Sequence, residues 1–173
     1  MVPGARVPVG LWEGMHFPAA RIPGTGSMPG MTHRKATSAD YPLLGMLNHQ
    51  LIRDEGHRNP MNVTQLTERM RRWLGNREYT GRIFEENGQI VAYALYREFA
   101  EEIYLRHLFV VRDRRREGFG RRALQLLREE IWPPNRRMTV EVLCGNAAGV
   151  AFWKAMGYRE YSVCLEIMPE KRA

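Results

Sequence analysis

The sequence predicts an α/β protein of the α+β type, built on a mixed but mostly antiparallel sheet. Three observations predict it. Segments with strand alternation and segments with helical spacing of apolar residues follow one another along the chain. Asn87-Gly88 joins two strand-like segments, and this pair is a strong signal for a hairpin and so for antiparallel pairing. A strand–helix–strand unit over 101–143 needs a crossover, so a parallel pair is expected there.

The chain divides into a tail and one domain. Residues 1–30 hold five of the ten prolines and six glycines, without helical or strand periodicity. This composition is typical of a flexible segment that cannot bury enough apolar surface to fold. We therefore expect a flexible tail over 1–30 and a folded domain over 31–173.

The domain begins with a strand and two helices. A short strand is expected over 32–36, and leucines at helical spacing then predict a helix that ends near Gly56. Asn62 is placed to cap a second helix, because its side chain can accept a hydrogen bond from the first helical turn. That helix is expected to stop at Gly75.

Three strands follow, over 80–86, 89–97 and 101–111. Successive side chains of a strand point to opposite faces of the sheet. The third strand is thus predicted to place Ile103, Leu105, His107 and Phe109 on one face, and Tyr104, Arg106, Leu108 and Val110 on the other.

The last predicted elements are a helix, a strand, a helix and a strand. Pro133-Pro134 ends the first of these helices, and Gly157 suits the end of the second. We expect these elements from the Gly118–Gly120 segment to about Trp132, over 138–143, from Asn146 to Gly157, and over 163–168.

Composition narrows the class of protein. Hydrophobic residues make up 44% and charged residues 26%, which is an ordinary globular mixture. Only Cys144 and Cys164 are present, too few for a disulfide scaffold and without a metal-ligand spacing. No window is apolar enough for a membrane helix. We expect no metal site, a small buried Cys144 and a cytoplasmic protein with reduced thiols.

The charge is unevenly distributed. The net charge is +7, and six of the arginines lie between positions 112 and 122. Such a surplus can serve nucleic acid, an anionic membrane or an anionic small ligand. The position of this arginine cluster in the fold indicates which of these three partners it serves.

The cluster surrounds two glycines at the start of a helix. After the strand that ends at Val111, the chain turns and Gly118-Phe119-Gly120 opens the helix. Glycine allows a ligand to approach the backbone, and a helix N-terminus presents free N–H groups with partial positive charge. This combination favours an anion, above all a phosphate.

The segment Arg115-x-x-Gly118-x-Gly120 resembles the acyl-CoA signature of the GNAT superfamily of N-acetyltransferases. The order and spacing of other features agree with that family over about residues 31–169. These features are the strand Leu108-Phe109-Val110, the Asn87-Gly88 hairpin, the strand Val140-Glu141-Val142-Leu143, Asn146, and Phe152-Trp153-Lys154-Ala155-Met156-Gly157-Tyr158.

The resemblance implies helices on both faces of the sheet and a cleft where the strands of Leu108 and Leu143 splay apart to admit acetyl-CoA. Backbone N–H groups would hold the pyrophosphate, the pantetheine arm would pair with a strand, and Asn146 would contact the arm from across the cleft. The implied pyrophosphate residues are Arg115, Arg116, Gly118, Phe119, Gly120 and Arg121, and the implied pantetheine residues are Leu108, Phe109 and Val110. The arginine cluster would then face the anionic cofactor.

Acetyl transfer needs a neutral amine, hence a base, and a donor to the developing oxyanion. The resemblance assigns the donor to the backbone N–H near Leu108. Glu102, acting directly or through water, is our first candidate for the base, and Tyr104 is the second. Both can equally be ordinary strand residues. His107 is expected on the opposite face, packed or at the surface.

Two further regions concern the acceptor and the leaving group. Asp54, Glu55 and His57 follow the first helix, where the resemblance places the acceptor cleft, and acidic groups would suit a cationic amine. They can also be a polar helix end. Trp153 stands where many family members carry a tyrosine that protonates the thiolate, so the acid is absent, displaced or replaced by water. Tyr158 is either its substitute or a core aromatic.

The leading hypothesis is direct transfer from acetyl-CoA to a primary amine of a small molecule or protein. One alternative is an acyl-CoA-binding protein without catalysis, suggested by Trp153. Another is a basic RNA-directed module, including an acetyltransferase that acts on charged tRNA. RNA binding is disfavoured because the arginines lack interleaved aromatic residues. The resemblance also suggests a homodimer.

Overall fold

The computed structural model of the chain describes residues 30–169. The tail predicted over 1–30 lies outside this range except for Gly30, as do the last four residues of the domain predicted over 31–173, so both boundaries stay predictions. The described elements are β1 (Met31–Lys35), α1 (Tyr41–Asp54), α2 (Val63–Gly75), β2 (Thr80–Glu86), β3 (Gln89–Glu98), β4 (Glu102–Val110), α3 (Phe119–Leu126), β5 (Arg137–Val140) and α4 (Ala147–Ala155).

The predicted fold class is confirmed. The five strands form one sheet in the order β1-β2-β3-β4-β5. The first three pairs are antiparallel, and only β4 and β5 are parallel. The crossover between β4 and β5 passes through α3, whose last turn is a π-helical segment at Leu127–Ile131.

Helices cover both faces of the sheet, as predicted. Met70 and Trp73 of α2 pack with Leu44 and Leu47 of α1 against Tyr93 on one face. The opposite face carries α3 and the end of α4 through buried residues that include Phe119, Ala123, Leu124 and Met156. Burying one such large side chain stabilises the fold by about 1.5–3 kcal/mol, so the two helical layers fix the sheet from both sides.

A β-bulge in β4 overturns part of the predicted alternation. Leu95 of β3 pairs with His107, but the next residue, Tyr96, pairs with Leu105, so Arg106 is an extra residue. A bulge of this kind shifts every later side chain by one position. Leu108 and Val110 consequently pack in the same layer as Ile103 and Leu105, whereas Tyr104 and Phe109 pack on the α1–α2 face. The prediction that Leu108 and Tyr104 share a face was wrong. The prediction that His107 lies on the face opposite Tyr104 was wrong as well.

The strand predicted over 163–168 is not formed. Residues 158–169 have no regular secondary structure, although the apolar alternation is present. Leu165 is 89% and Ile167 99% exposed. Alternation gives a strand only when a neighbouring strand supplies backbone hydrogen bonds, and this segment instead contacts the domain through side chains. Arg58 binds Glu166 at 2.5 and 2.7 Å, and Arg137 lies over the Tyr161 ring.

The described residues contain no helix long and apolar enough to cross a membrane. Within the same range, no cluster of three His, Cys, Asp or Glu residues is placed to hold a metal. Both cysteines are free and exposed, so the expectation of a buried Cys144 was wrong. Cys144 lies in the turn between β5 and α4, where its neighbours Leu143 and Gly145 are exposed as well.

Candidate active site

The connection from β4 to α3 forms a strained turn that exposes backbone N–H groups. After a 3₁₀ turn at Arg112–Arg114, Arg116 and Gly118 adopt left-handed backbone angles, with φ of 70° and 84°. Gly118 is the N-cap of α3, and its carbonyl accepts the first helical bond from Arg122. A Cβ at Gly118 would meet no atom within 4 Å, so this backbone faces open space. The turn thus offers an anion site of the predicted kind.

The turn lines a cleft of about 310 Å³ between β4, α3 and α4. Gly120 forms the narrowest point, because a Cβ there would lie 3.3 Å from the Phe152 ring and 3.5 Å from Val110. The lining residues include the predicted Val110, Arg115, Arg116, Gly118, Phe119, Gly120 and Arg121, and the unpredicted Arg114, Phe152, Ala155 and Met156.

Four of the six clustered arginines bind carboxylates of the protein itself. Arg112 and Arg115 both bind Asp54, at 2.5 Å each. Arg114 and Arg122 both bind Glu86, at 2.8 and 3.2 Å, and both lie over the Phe119 ring. The expectation that the whole cluster faces the cofactor therefore needs correction: most of these side chains fasten the turn to α1 and β2.

Asp54 binds two arginines of the turn, a structural role that the sequence did not indicate. Its two carboxylate oxygens accept from Arg112 and Arg115, and Arg115 also donates from Nε to the carbonyl of Val110 at 3.1 Å. Burial alone would raise the pKa of Asp54, but the bonds from the two arginines outweigh it and lower that pKa. These occupied oxygens do not support the prediction that Asp54 binds the acceptor.

The edge of β4 beyond Leu105 is open to the cleft. Pairing between β4 and β5 ends at Leu105 and Val140, and this is the predicted splay. On the other side, Val111 donates to the carbonyl of Val91 at 2.9 Å. Antiparallel neighbours alternate between bonded and non-bonded pairs, so Phe109 bonds to β3, while Leu108 and Val110 turn their N–H and C=O groups away from it. The bond from Arg115 to the Val110 carbonyl fits this direction.

Glu102 lies at the paired end of β4, far from the splay. Its carboxylate accepts from Thr139 at 2.6 Å and from Arg137 at 3.1 Å, both on β5. Glu102 thus joins the two strands three residues before their pairing ends, and these surroundings do not support its prediction as the base.

Tyr104, the second predicted base, is hydrogen-bonded to the carboxylate of Glu141, which lies nearer to the splay than Glu102 does. Its hydroxyl donates to Glu141 at 3.0 Å and accepts from Arg106 at 3.2 Å. Burial raises the pKa of the Tyr104 phenol, so the group stays protonated and acts as a donor. Glu141 follows directly after the last residue of β5, where the pairing with β4 has ended.

The remaining predicted acceptor residues lie after α1. Burial, with the charge of Asp54, raises the pKa of Glu55. The His57 ring accepts from the backbone of Asn59 at 3.0 Å, which ties it to its own loop. His57 and Glu55 nevertheless lie close enough to act electrostatically on His107 and Tyr93, so the loop does border the α1–α2 face of β4.

His107 is half-buried among polar and aromatic groups. One ring nitrogen lies 3.3 Å from the Tyr93 hydroxyl and the other 3.4 Å from the Asn48 amide. Desolvation, followed by the charges of Arg106 and Arg69, holds the pKa of His107 well below its usual value. With both ring nitrogens in contact with protein groups, His107 supports the position of β4.

The helix α4 borders the cleft from the other side. The Asn146 side chain accepts from the backbone of Gly149 at 2.9 Å and caps the helix, so its predicted contact with the CoA arm would use its amide nitrogen. Trp153 packs between the rings of Phe152 and Tyr158. Burial raises the pKa of Tyr158 to about 12, and its hydroxyl has no partner among residues 30–169.

Sequence reasoning missed Glu141, Asn48 and Arg69 at this site. Glu141 belongs to the strand that the sequence predicted after α3. Its position just past the expected splay was the signal that could have identified it. Asn48 and Arg69 are single polar residues within helical patterns. Their contacts with β4 depend on tertiary packing, so no local signal could have identified them.

Known proteins of similar sequence or fold can be compared with the chain now that its geometry is described. A family model described as Acetyltransferase (GNAT) family matches residues 48–158. The [ribosomal protein bS18]-alanine N-acetyltransferase of Escherichia coli K12 is 29% identical over 79 residues, which is 45% of this chain and 53% of that protein. The chain thus spans about half the length of the curated relatives it matches.

Solved structures share the fold. A Clostridium acetobutylicum protein, described as a predicted acetyltransferase and solved with acetyl-CoA, has a TM-score of 0.63 and 23% identity, covering 80% of this chain and 96% of its own. An aminoglycoside N-acetyltransferase in complex with CoA has a TM-score of 0.62 and 16% identity, covering 83% and 95%.

Proposed function

This chain belongs to the GNAT acetyltransferase family, and from this premise we propose that it transfers the acetyl group of acetyl-CoA directly to a primary amine. One observation carries the proposal: the open edge of β4 at Leu108 and Val110 runs into the glycine turn at Gly118. A strand edge suits an amide-bearing arm and a helix N-terminus suits a pyrophosphate. Acetyl-CoA has both at the matching ends.

The Leu108 N–H would stabilise the oxyanion. It points into the gap between β4 and β5, where no strand of the described residues competes for it. A fixed donor aimed at developing charge lowers the barrier without reorganisation during the reaction. The bulge at Arg106 supports this role because it sets the direction in which the Leu108 N–H points.

We assign the base to Glu141, which replaces Glu102 in this role. A lysine-like amine with a pKa of about 10.4 is only about 0.04% neutral at pH 7, which costs about 4.6 kcal/mol. Glu141 would take the ammonium proton, directly or through water. The amine nitrogen would then bond to the carbonyl carbon and lose a second N–H proton to solvent, the C–S bond would break, and the CoA thiolate would take a proton from solvent. Tyr104, bonded to Glu141 at 3.0 Å, would hold the carboxylate in place.

Trp153 favours a second candidate function, acyl-CoA binding without catalysis. An indole N–H does not serve as a proton donor to a thiolate, and Trp153 is packed between two aromatic rings. The first proposal accommodates this residue because a CoA thiolate can leave without an acid. A small-molecule or protein acceptor, a homodimer and a cytoplasmic location remain proposals of the same kind.

The test begins with thermal unfolding of the full chain with and without acetyl-CoA. At about 100 times the dissociation constant, the cofactor should add about 2.7 kcal/mol, which is a rise of roughly 5–11 °C for a chain of this size. Release of free thiol is then followed with a panel of primary amines. Binding with turnover supports the transferase, binding without turnover supports the second candidate, and no rise for a folded protein overturns both.

A further inference from the structure

Two arginines on the α1–α2 face of β4 differ from those of the cofactor turn. Arg69 of α2 and Arg106 at the bulge both lie over the ring of Trp73, with their guanidinium carbons 4.7 and 5.1 Å from the ring centroid. Two cations gathered on one aromatic side chain repel each other, so their placement calls for a compensating anion.

Among residues 30–169, no carboxylate supplies that anion by direct contact. Arg69 donates to the Asn48 amide oxygen at 2.6 Å and reaches the sulfur of Met61 at 3.5 Å. Arg106 donates to the Tyr104 hydroxyl at 3.2 Å. The Nε atoms of both arginines are buried without a hydrogen-bond partner within that range. Buried donors of this kind are rare in native structures and ask for an explanation.

The acidic groups nearby do not neutralise the pair. Glu141 reaches Arg106 only through the Tyr104 hydroxyl. Glu55 is not among the hydrogen-bond partners of either arginine within residues 30–169. Burial and the charge of Arg106 lower the pKa of Arg69 to about 10, and a group with that pKa is still charged at neutral pH.

The pair lies close to the proposed reaction centre. Arg106 precedes Leu108 by two residues, which is roughly 7 Å along a strand. The loop after α1 borders the same face, and Arg58 of that loop is bound to Glu166 of the C-terminal segment. This link holds the C-terminal segment against the loop.

We propose that the acceptor is a small amine that also carries an anionic group, a carboxylate or a phosphate, which Arg69 and Arg106 bind. This inference rests on the proposed function and names its substrate class. The amine faces Glu141 and the Leu108 N–H, while the anionic group a few bonds away contacts the guanidinium groups of Arg69 and Arg106. Charge-assisted bonds of this kind are about twice as strong as neutral ones. The same pair repels polycationic amines such as aminoglycosides.

The experiment compares matched amines by thiol release from acetyl-CoA with the full chain. The first set pairs the twenty free amino acids with their carboxamides, the second pairs phosphoethanolamine with ethanolamine, and kanamycin serves as the polycation. We expect at least one anionic amine to exceed its neutral twin about tenfold or more in kcat/KM, with kanamycin unused. The first set reports a carboxylate and the second a phosphate.

Variants then connect the preference to the arginines. Arg69→Gln and Arg106→Gln should each reduce the advantage of the anionic amine about tenfold through KM, and Arg69→Lys should restore part of it. Arg71→Gln is the matched control, because Arg71 lies on the same helix but is 63% exposed and bound to Glu68. That variant should keep the full preference.

The inference fails if neutral twins or kanamycin are preferred, if the anionic preference survives both glutamine variants, or if only acidic peptides are acetylated. It also fails if acetyl-CoA raises the unfolding temperature but no anionic amine in the panel is used. If acetyl-CoA gives no rise at all, the proposed function fails first, so the two failures are distinguishable.

Discussion

The two groups of arginines around β4 behave differently. Arg112, Arg114, Arg115 and Arg122 are bound to Asp54 or Glu86, so most of the dense cluster holds the protein together. The pair Arg69 and Arg106 is sparse in sequence but has no carboxylate in contact within the described chain. The density of charge in a sequence therefore does not locate a ligand. Under the two proposals, the charge that the fold leaves uncompensated is the better guide, and the backbone N–H groups at Gly118 would hold the cofactor.

The largest expected effect comes from Gly118→Asp. It places a carboxylate where the backbone faces open space at φ 84° and adds left-handed strain of about 1–2 kcal/mol. Acetyl-CoA affinity should fall more than 100-fold, measured by calorimetry and by loss of the thermal shift. Gly88→Asp is the control, since Gly88 has a φ of 75° in an open turn of the β2–β3 hairpin. If Gly118→Asp binds as well as this control, the turn does not hold the pyrophosphate.

Glu141→Gln tests which carboxylate serves the acceptor side. A general base contributes about 10²–10⁴-fold, so kcat should fall at least about 100-fold while KM for acetyl-CoA changes little. The deficit should shrink as the pH approaches the pKa of the amine, because the amine then loses its proton unaided. Glu102→Gln should change kcat less than about fivefold. The opposite ranking of the two variants would restore Glu102 as the base.

The Asp54→Asn variant tests whether the arginines that are paired with carboxylates stabilise the fold rather than bind the cofactor. Loss of the bonds to Arg112 and Arg115 should cost about 1–2 kcal/mol of unfolding free energy at pH 7, with acetyl-CoA affinity reduced less than tenfold. The folded pKa of Asp54 is lowered, so its contribution is full above the unfolded pKa of about 3.9 and is lost as the pH falls through the folded value.

Denaturant titrations of both proteins should therefore show a constant gap between pH 8 and about pH 5 that closes at lower pH. A gap that stays constant to the lowest pH at which both proteins fold would mean that the ionised Asp54 carboxylate does not supply the stability.

The smallest expected effect comes from comparing two arginines of the same turn, Arg114 and Arg116. Arg116 is exposed and has no side-chain partner among residues 30–169, whereas Arg114 binds Glu86 and Glu117. Arg116→Gln should weaken acetyl-CoA binding about three- to tenfold and leave the unfolding temperature unchanged. Arg114→Gln should lower the unfolding temperature by a few degrees. Equal effects of both variants on both measurements would remove the distinction between paired and unpaired arginines.

Local signals predicted most of the fold. Helix caps at Asn62 and Asn146 and the Asn87-Gly88 hairpin are encoded in adjacent residues, and each lies where expected. The splay beyond Leu105 was predicted by resemblance, and the pairing of β4 and β5 ends there.

Tertiary features escaped prediction. The bulge at Arg106 was not predicted, because it is defined by the pairing of Leu95 and Tyr96 with His107 and Leu105 across the sheet. The segment 163–168 alternates like a strand but lacks hydrogen-bonded pairing with a neighbour. The partners of Asp54 are 58 and 61 residues away. Each of these features depends on what another part of the chain brings into contact, which spacing along one segment cannot show.

The bulge at Arg106 makes this protein open to a class of mutation that substitution scanning would not sample. Two residues of β4 stand opposite one of β3, so loss of the single codon for position 106 restores a regular pleat. Leu105 and His107 already pair with adjacent residues of β3, so every side chain downstream keeps its face and its partner. Deletion of residue 106 should therefore preserve the sheet while it removes one arginine beside Trp73, whereas deletion of Phe109 would force the residues after it to exchange faces or slip in register.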